Sequence, residues 1–307
     1  MKLRLILAVS SVIAAVALGD LTWSLRPVLG LDAKEHAARS VPVPGLRKIF
    51  SAGFEEPVSI EVDETQRRAW LRGRDVHGQA WDDLDHVFEM VAPRSFGNLI
   101  TTEFSERQVY SGRRSLFMRQ NVEQAGAQNR LQFFSDDATF NGEIFTRRHY
   151  FVPRRSFGYL ARQDGAVSIA GTRERRGGSA EPGAANADFS MPLYIVRRGD
   201  ALVFAQAILD YSAGPNWSDW TKAPNGLITY GNNTQVPLDR WFQLDIYVLR
   251  HPVRGEIRVW IDGEPIFELE NVRTKNDTDR WFTKLADVDA EPAPFELWVD
   301  EVEIWTR

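Results

Sequence analysis

Two alternating runs carry the residues best suited to chemistry. In Asn129-Arg-Leu-Gln-Phe-Phe134, Arg130 and Gln132 share one side. In Glu143-Ile-Phe-Thr-Arg-Arg-His-Tyr-Phe-Val-Pro153, Glu143, Phe145, Arg147, His149 and Phe151 share one side, and Ile144, Thr146, Arg148 and Tyr150 the other, because side chains alternate across a strand with period two. A face so basic, polar and aromatic is costly to bury, so it is expected to meet solvent rather than the core. A guanidinium or amide on it can neutralise a uronic acid carboxylate and so acidify the adjacent C–H bond, and a His or Tyr can then take the proton. Arg130, Gln132, His149, Tyr150 and Tyr211 are the right types for that β-elimination, with Arg147 as a further contact for an anion. The same residues also make a plain solvent face of cross-strand ion pairs.

A second constellation runs from Tyr211-Ser-Ala-Gly-Pro-Asn-Trp-Ser-Asp-Trp220 to Tyr230-Gly-Asn-Asn-Thr234. Trp217, Trp220 and Tyr230 stand among Gly, Pro, Asn and Ser, where an aromatic is less expected for packing than in a strand. Flat rings stack on the C–H faces of sugars while Asn and Asp bond hydroxyls; the alternative is that these rings plug the end of a sandwich.

The elements that must position these groups are strands. Phe242, Leu244, Ile246 and Val248 alternate with Trp241, Gln243, Asp245 and Tyr247, the period of a half-buried strand. Glu256–Asp262 and Glu264–Leu269 are strand-like runs joined by Asp262-Gly263, which supplies the positive φ angles of a tight hairpin. Phe295–Trp305 alternates apolar and acidic residues as a long terminal strand, and Trp70, Trp81 and Phe88 are expected core aromatics. Further runs at Thr102–Ser111, Arg114–Arg119, Pro192–Val196 and Ala201–Leu209 are spaced by turn residues, with Arg198-Gly-Asp200 as a hairpin turn rather than an adhesion motif. The Gly- and Arg-rich stretch Thr172–Asp188 is expected to be a mobile loop. Regular strand spacing with no helical domain predicts an all-β fold, a two-sheet antiparallel β-sandwich.

Asp239-Arg-Trp, Gly255-Glu-Ile-Arg-Val-Trp-Ile-Asp-Gly263 and Trp298-Val-Asp-Glu-Val302 also resemble the closing third of concanavalin A-like jelly rolls, most of all the polysaccharide-lyase branch related to heparin lyase I. Phe50-Ser-Ala-Gly-Phe-Glu-Glu56 resembles their opening strand, so the likeness covers roughly Phe50 to Arg307. It implies a jelly roll whose first and last strands lie side by side, a glycan on its concave face, and a structural calcium held by Glu55 and Asp300. Relatives carry Arg-x-Glu where this chain has Arg130-Leu-Gln132, and a later Gln-x-His where it has Ser168-Ile-Ala-Gly-Thr-Arg173, leaving His149 as the substitute base. The scaffold is shared by lyases, lectins and adhesion modules, so a non-catalytic glycan-binding module stands beside the lyase reading. No Glu-x-Asp-x-x-Glu strand points to a paired-carboxylate glycosidase.

Composition narrows the setting. The 307 residues, 43% hydrophobic, suffice for one large sandwich, here Phe50 to Arg307, after an arm over Asp20–Lys48. Met1-Lys-Leu-Arg, the apolar run Leu5–Leu18 and Ala17-Leu-Gly19 read as a secretory signal over residues 1–19. The run is shorter than the roughly 20 residues that span a bilayer, so an uncleaved anchor is the alternative and a secreted, periplasmic or cell-surface protein the expectation. There is no cysteine, so disulfide and thiol chemistry are excluded. The net charge of −5 falls two lower, to −7, if Lys2 and Arg4 leave with the signal, which argues against nucleic acid and leaves polysaccharide as the expected partner.

Overall fold

A computed structural model describes residues 41–63, 68–76, 78–82, 88–91, 100–121, 129–156, 166–174, 189–210, 227–275, 280–291 and 294–307. The signal, most of the arm, Tyr211, Trp217, Trp220 and residues 175–188 lie outside them. In chain order the strands are β1 (Arg47–Ala52), β2 (Ser59–Asp63), β3 (Arg68–Arg72), β4 (Phe88–Val91), β5 (Ile100–Ser105), β6 (Ser115–Gln120), β7 (Asn129–Asp136), β8 (Glu143–Phe151) and β9 (Ala166–Glu174). They continue as β10 (Phe189–Arg198), β11 (Ala201–Asp210), β12 (Leu227–Gln235), β13 (Trp241–Leu249), β14 (Gly255–Ile261), β15 (Glu264–Val272), β16 (Arg280–Glu291) and β17 (Phe295–Thr306). One short helix, α1 (Asp137–Phe140), separates β7 from β8.

These strands form two antiparallel sheets. The eight-stranded sheet runs β15-β14-β13-β8-β17-β6-β5, with β1 paired to β17, and the nine-stranded sheet runs β12-β11-β10-β9-β16-β7-β4-β3-β2. The expected all-β, two-sheet jelly-roll sandwich is therefore the observed class. The opening and closing strands are neighbours, with Phe50 opposite Ile304. β1 starts at Arg47, so the last two residues of the arm expected over Asp20–Lys48 already belong to the sheet. Asp262 and Gly263 have φ of 52° and 84° and join Ile261 to Glu264 across a two-residue turn, the conformation for which Asp-Gly is selected.

One core lies between the sheets. It takes Leu131 and Phe133 from β7, Val167 and Ile169 from β9 and Leu285 and Val288 from β16, facing Ile144 and Tyr150 from β8 and Val299, Val302 and Ile304 from β17. Trp81 is fully buried, stacked on Phe54 at 5.2 Å, and its indole N–H donates to the Gly53 carbonyl at 2.8 Å. Each such aromatic contributes on the order of 2–3 kcal/mol by leaving water. Trp70 differs from expectation: it is half-buried, with the Arg72 guanidinium over its ring, because it lies on the solvent side of β3 while Ala69 and Leu71 fill the core.

Arg148 is the exception inside. The inward side of β8 buries it completely; one guanidinium nitrogen bonds Thr146 and the group lies against Tyr150, whereas Nε and Nη2 find no hydrogen-bond partner among the described residues. No ion pair reaches it among the described residues. An unpaired buried charge costs more than a well-packed apolar side chain of similar size, so Arg148→Met is expected to stabilise the protein by about 1–3 kcal/mol, read as a higher urea midpoint at unchanged slope. A loss of about 2 kcal/mol instead would show that the guanidinium is satisfied.

Candidate functional site

The topology decides which expected site residues can meet. β7 and β8 are successive in the chain but belong to different sheets. Leu131 and Phe133 of β7 and Ile144 and Tyr150 of β8 point into the shared core, so Arg130 and Gln132 face out on one side of the sandwich, and Arg147 and His149 face out on the other. The single groove expected from Arg130, Gln132, Arg147 and His149 therefore does not form: α1 carries the chain across the sandwich where a hairpin would have kept both strands in one sheet. Tyr150, on the inward side, is core. Tyr230 falls in β12, in the same sheet as Arg130.

On the eight-stranded sheet, the polar face carries cross-strand ion pairs, but it is not the solvent face expected, since Arg147, His149 and Asp245 are all buried. Arg147 clasps Asp245 of β13 in a two-pronged contact, Nε to Oδ1 at 2.9 Å and Nη2 to Oδ2 at 2.8 Å, and Gln243 donates to Asp245 at 2.8 Å. The Tyr110 ring lies flat on His149 at 3.6 Å, with 11° between planes, covering the imidazole. Two acids hold the segment that bears Tyr110. Asp300 accepts from the backbone N–H groups of Tyr110 and Ser111 at 3.1 and 3.2 Å, and Glu55 from those of Arg113 and Arg114 at 2.7 and 2.9 Å. Acids from opposite ends of the chain thus reach one loop, Asp300 at Tyr110 and Ser111 and Glu55 at Arg113 and Arg114, each already bonded to backbone N–H groups. Burial, and after it Glu301, push the Asp300 carboxyl up to about 8 against the pull of those N–H groups. Carboxylate oxygens are what calcium takes, and a cation beside Asp300 would offset that burial, so the residues fit the ion in charge and donor type. Among the described residues no group of three or more His, Cys, Asp or Glu gathers, so carbonyls or water would have to complete the shell.

The nine-stranded sheet holds a different constellation. Lys284 and Asp287 of β16, Ser168 of β9 and Arg130 and Gln132 of β7 converge on its outer side. Asp287 accepts from Arg130 Nε at 3.2 Å, Ser168 Oγ at 2.7 Å and Lys284 Nζ at 2.5 Å. Lys284 also reaches Ser168 at 3.4 Å, and Arg130 Nη1 reaches Gln132 Oε1 at 3.5 Å. Phe134 and Phe282 meet edge-to-face at 5.8 Å, with the Arg130 guanidinium over Phe282. An apolar patch of Val196, Val203 and Ala205, with Tyr194 against it, lies on β10 and β11 of the same sheet. Burial, helped by Arg130, pulls the Lys284 ammonium down to about 8 although Asp287 favours its charged form. Asp287 is held below the usual carboxylate range: burial would raise it, but Lys284 and Arg130 outweigh that. Lys284 keeps 5% of its surface exposed and Arg130 3%, so water is nearly excluded.

Sequence reading reached Arg130 and Gln132 but missed Lys284, Asp287 and Ser168. The signal was present in Trp281-Phe-Thr-Lys-Leu-Ala-Asp-Val-Asp289, where two charges stand three apart with adjacent apolar residues breaking the alternation between them, the mark of a bulge.

No family model matches the sequence, and no curated protein matches it. Solved structures with a similar chain course include an endo-β-1,4-glucuronan lyase from the fungus Trichoderma reesei, at 16% identity and a TM-score of 0.48 over 68% of this chain and 88% of that one. They include a PL-14 alginate lyase from Aplysia kurodai, at 12% identity and 0.45 over 67% and 87%, and the receptor-binding domain of botulinum neurotoxin type G, at 11% and 0.38 over 72% and 45%.

The raised Asp300 carboxyl has a stability consequence. Its folded-state value of about 8 lies above the ordinary 3.8, so between these values the folded chain holds a proton the unfolded chain has released. Stability measured in chelator should therefore fall as pH rises through that window, and Asp300→Asn should remove this fall. Equal slopes in both proteins would mean the carboxyl titrates normally.

Proposed function

We propose that the outer face of the nine-stranded sheet binds an acidic polysaccharide at Arg130 and Gln132, and that Lys284 serves as the base of a β-elimination there. The observation that carries this reading is an amine pulled to about 8 within a water-poor cluster that also holds a guanidinium and an amide. A base working near neutral pH needs such a value. Arg130 and Gln132 would engage the uronate carboxylate, stabilising the charge that develops as the α-proton leaves. The proton passes to neutral Lys284 Nζ, the C–H electron pair forms a double bond to the β-carbon, and the β-carbon–oxygen bond breaks as the leaving oxygen takes a proton from water. The apolar patch on β10 and β11 lies in the same sheet.

A second reading has its own support. Lys284 is ion-paired with Asp287 at 2.5 Å, which holds its proton and favours binding without turnover. The same proposal includes export from the cell and a calcium ion at Glu55 and Asp300 that stiffens the sandwich away from the glycan.

The test is incubation with a panel of uronic acid polysaccharides, following unsaturated product near about 235 nm. The lyase reading predicts product that rises with pH through about 8, vanishes in Lys284→Met and persists in His149→Ala. Arg130→Ala should weaken binding by about 1.5–3 kcal/mol, and salt should weaken it in the wild type. Retention without product supports the binding module, and neither binding nor product on any acidic glycan overturns both readings. If calcium is held, chelator lowers the melting temperature of the wild type and leaves Asp300→Asn unchanged.

A further inference from the structure

We propose that Tyr150 is a positioning residue for the polar cluster on the nine-stranded sheet, its hydroxyl clamping from the interior the two bulges that bring Ser168, Lys284 and Asp287 to one face. This rests on the reading of that cluster as the ligand site. Lys284 and Asp287 are three residues apart, and in a regular strand such residues point to opposite faces. In β16, Lys284 stands opposite Gln132 and Ala286 opposite Leu131, so Leu285 is an extra residue. Against β9 the pairing jumps from Lys284 opposite Gly171 to Asp289 opposite Ser168, so Leu285 has no cross-strand partner on either side. β9 carries its own bulge beside it. Ala170 pairs with Leu193 and Ser168 with Tyr194, which makes Ile169 the extra residue there.

The extra residue of a bulge drops out of the ladder, and its buried carbonyl needs another donor. One side chain supplies it to both. The Tyr150 hydroxyl, reaching across from the opposite sheet, lies 2.5 Å from the Leu285 carbonyl oxygen and 2.9 Å from that of Ile169. Its single proton is shared between the two. Burial raises the phenol above its ordinary value, against the pull of Arg148, which favours the protonated, donating form. Removing the hydroxyl takes a donor from both buried carbonyls and favours return to a regular ladder, which would turn Lys284 or Asp287 away from the outer face.

The experiment uses the full chain with lysines labelled at the ε-carbon, assigned through Lys284→Arg, and follows the NMR titration of Lys284. Wild type should titrate near 8. Tyr150→Phe keeps the ring packing and should move the midpoint up by about one unit or more, a tenfold change in proton affinity, as the amine relaxes toward water. Phe204→Leu, a core change on β11, should leave it unmoved. An unmoved midpoint in a folded Tyr150→Phe protein, or an equal shift in Phe204→Leu, overturns the proposal. Should Tyr150→Phe not fold, 4-aminophenylalanine at position 150, which restores a donor, decides. A folded protein with the wild-type midpoint supports the clamp, whereas a shifted midpoint or an unfolded chain overturns it. Because this readout needs no glycan, it fails separately from the ligand reading, which is checked by retention of the same variants on acidic polysaccharide.

Discussion

Removal from water of the residues facing inward from both sheets is the constraint on which the other features depend. Phe50, Ile144, Tyr150, Val302 and Ile304 on one side and Leu131, Phe133, Ile169 and Leu285 on the other share one core. With those inward positions set, the period of two leaves every alternate side chain outside, and the sheet that a strand joins decides which outer surface it reaches. Arg130 and Arg147 follow from this. Both sit outward on alternating strands, yet a full sandwich thickness separates them.

The two outer surfaces then diverge in chemistry. On the eight-stranded sheet, guanidinium and carboxylate groups stand opposite one another in register, as Arg147 and Asp245 do, and the charges are spent on pairs. On the nine-stranded sheet, Asp287 gathers Arg130, Lys284 and Ser168 onto one carboxylate, and Asp289 also acts on Lys284. Burial there, helped by Arg130, pulls the Lys284 ammonium down although Asp287 favours its charged form. The arrangement depends on an irregularity: without Leu285 as an extra residue, Lys284 and Asp287 would not share a side.

Local patterns in the sequence foretold much of the fold. Asp262-Gly263 specified its turn because few other residue pairs adopt two successive positive φ angles, and the alternation in β7, β8 and β13 separated inward from outward residues, whereas in β17 the inward side changes parity between Val299 and Val302, where the register against β8 shifts. What alternation cannot encode is sheet membership. The link Asp136-Asp-Ala-Thr-Phe-Asn-Gly142 suits a hairpin as well as the short helix with Asn141 and Gly142 at positive φ that carries the chain to the other sheet, and only the core on both sides selects the second. The site was half read for the same reason. Arg130 and Gln132 obey the period, whereas Lys284 and Asp287 share a face by breaking it, and the Leu285-Ala286 pair between them looks like ordinary core until its register is known.

The most direct measurement is a hydrogen-exchange footprint of an acidic oligouronate on the intact protein. If the nine-stranded sheet carries the site, ligand should slow exchange in β7 and β16, over residues 129–136 and 280–291, and leave β8 and β13 unchanged. Slowed exchange confined to β8 and β13, beside Arg147 and His149, would place the ligand on the opposite surface and contradict the central claim.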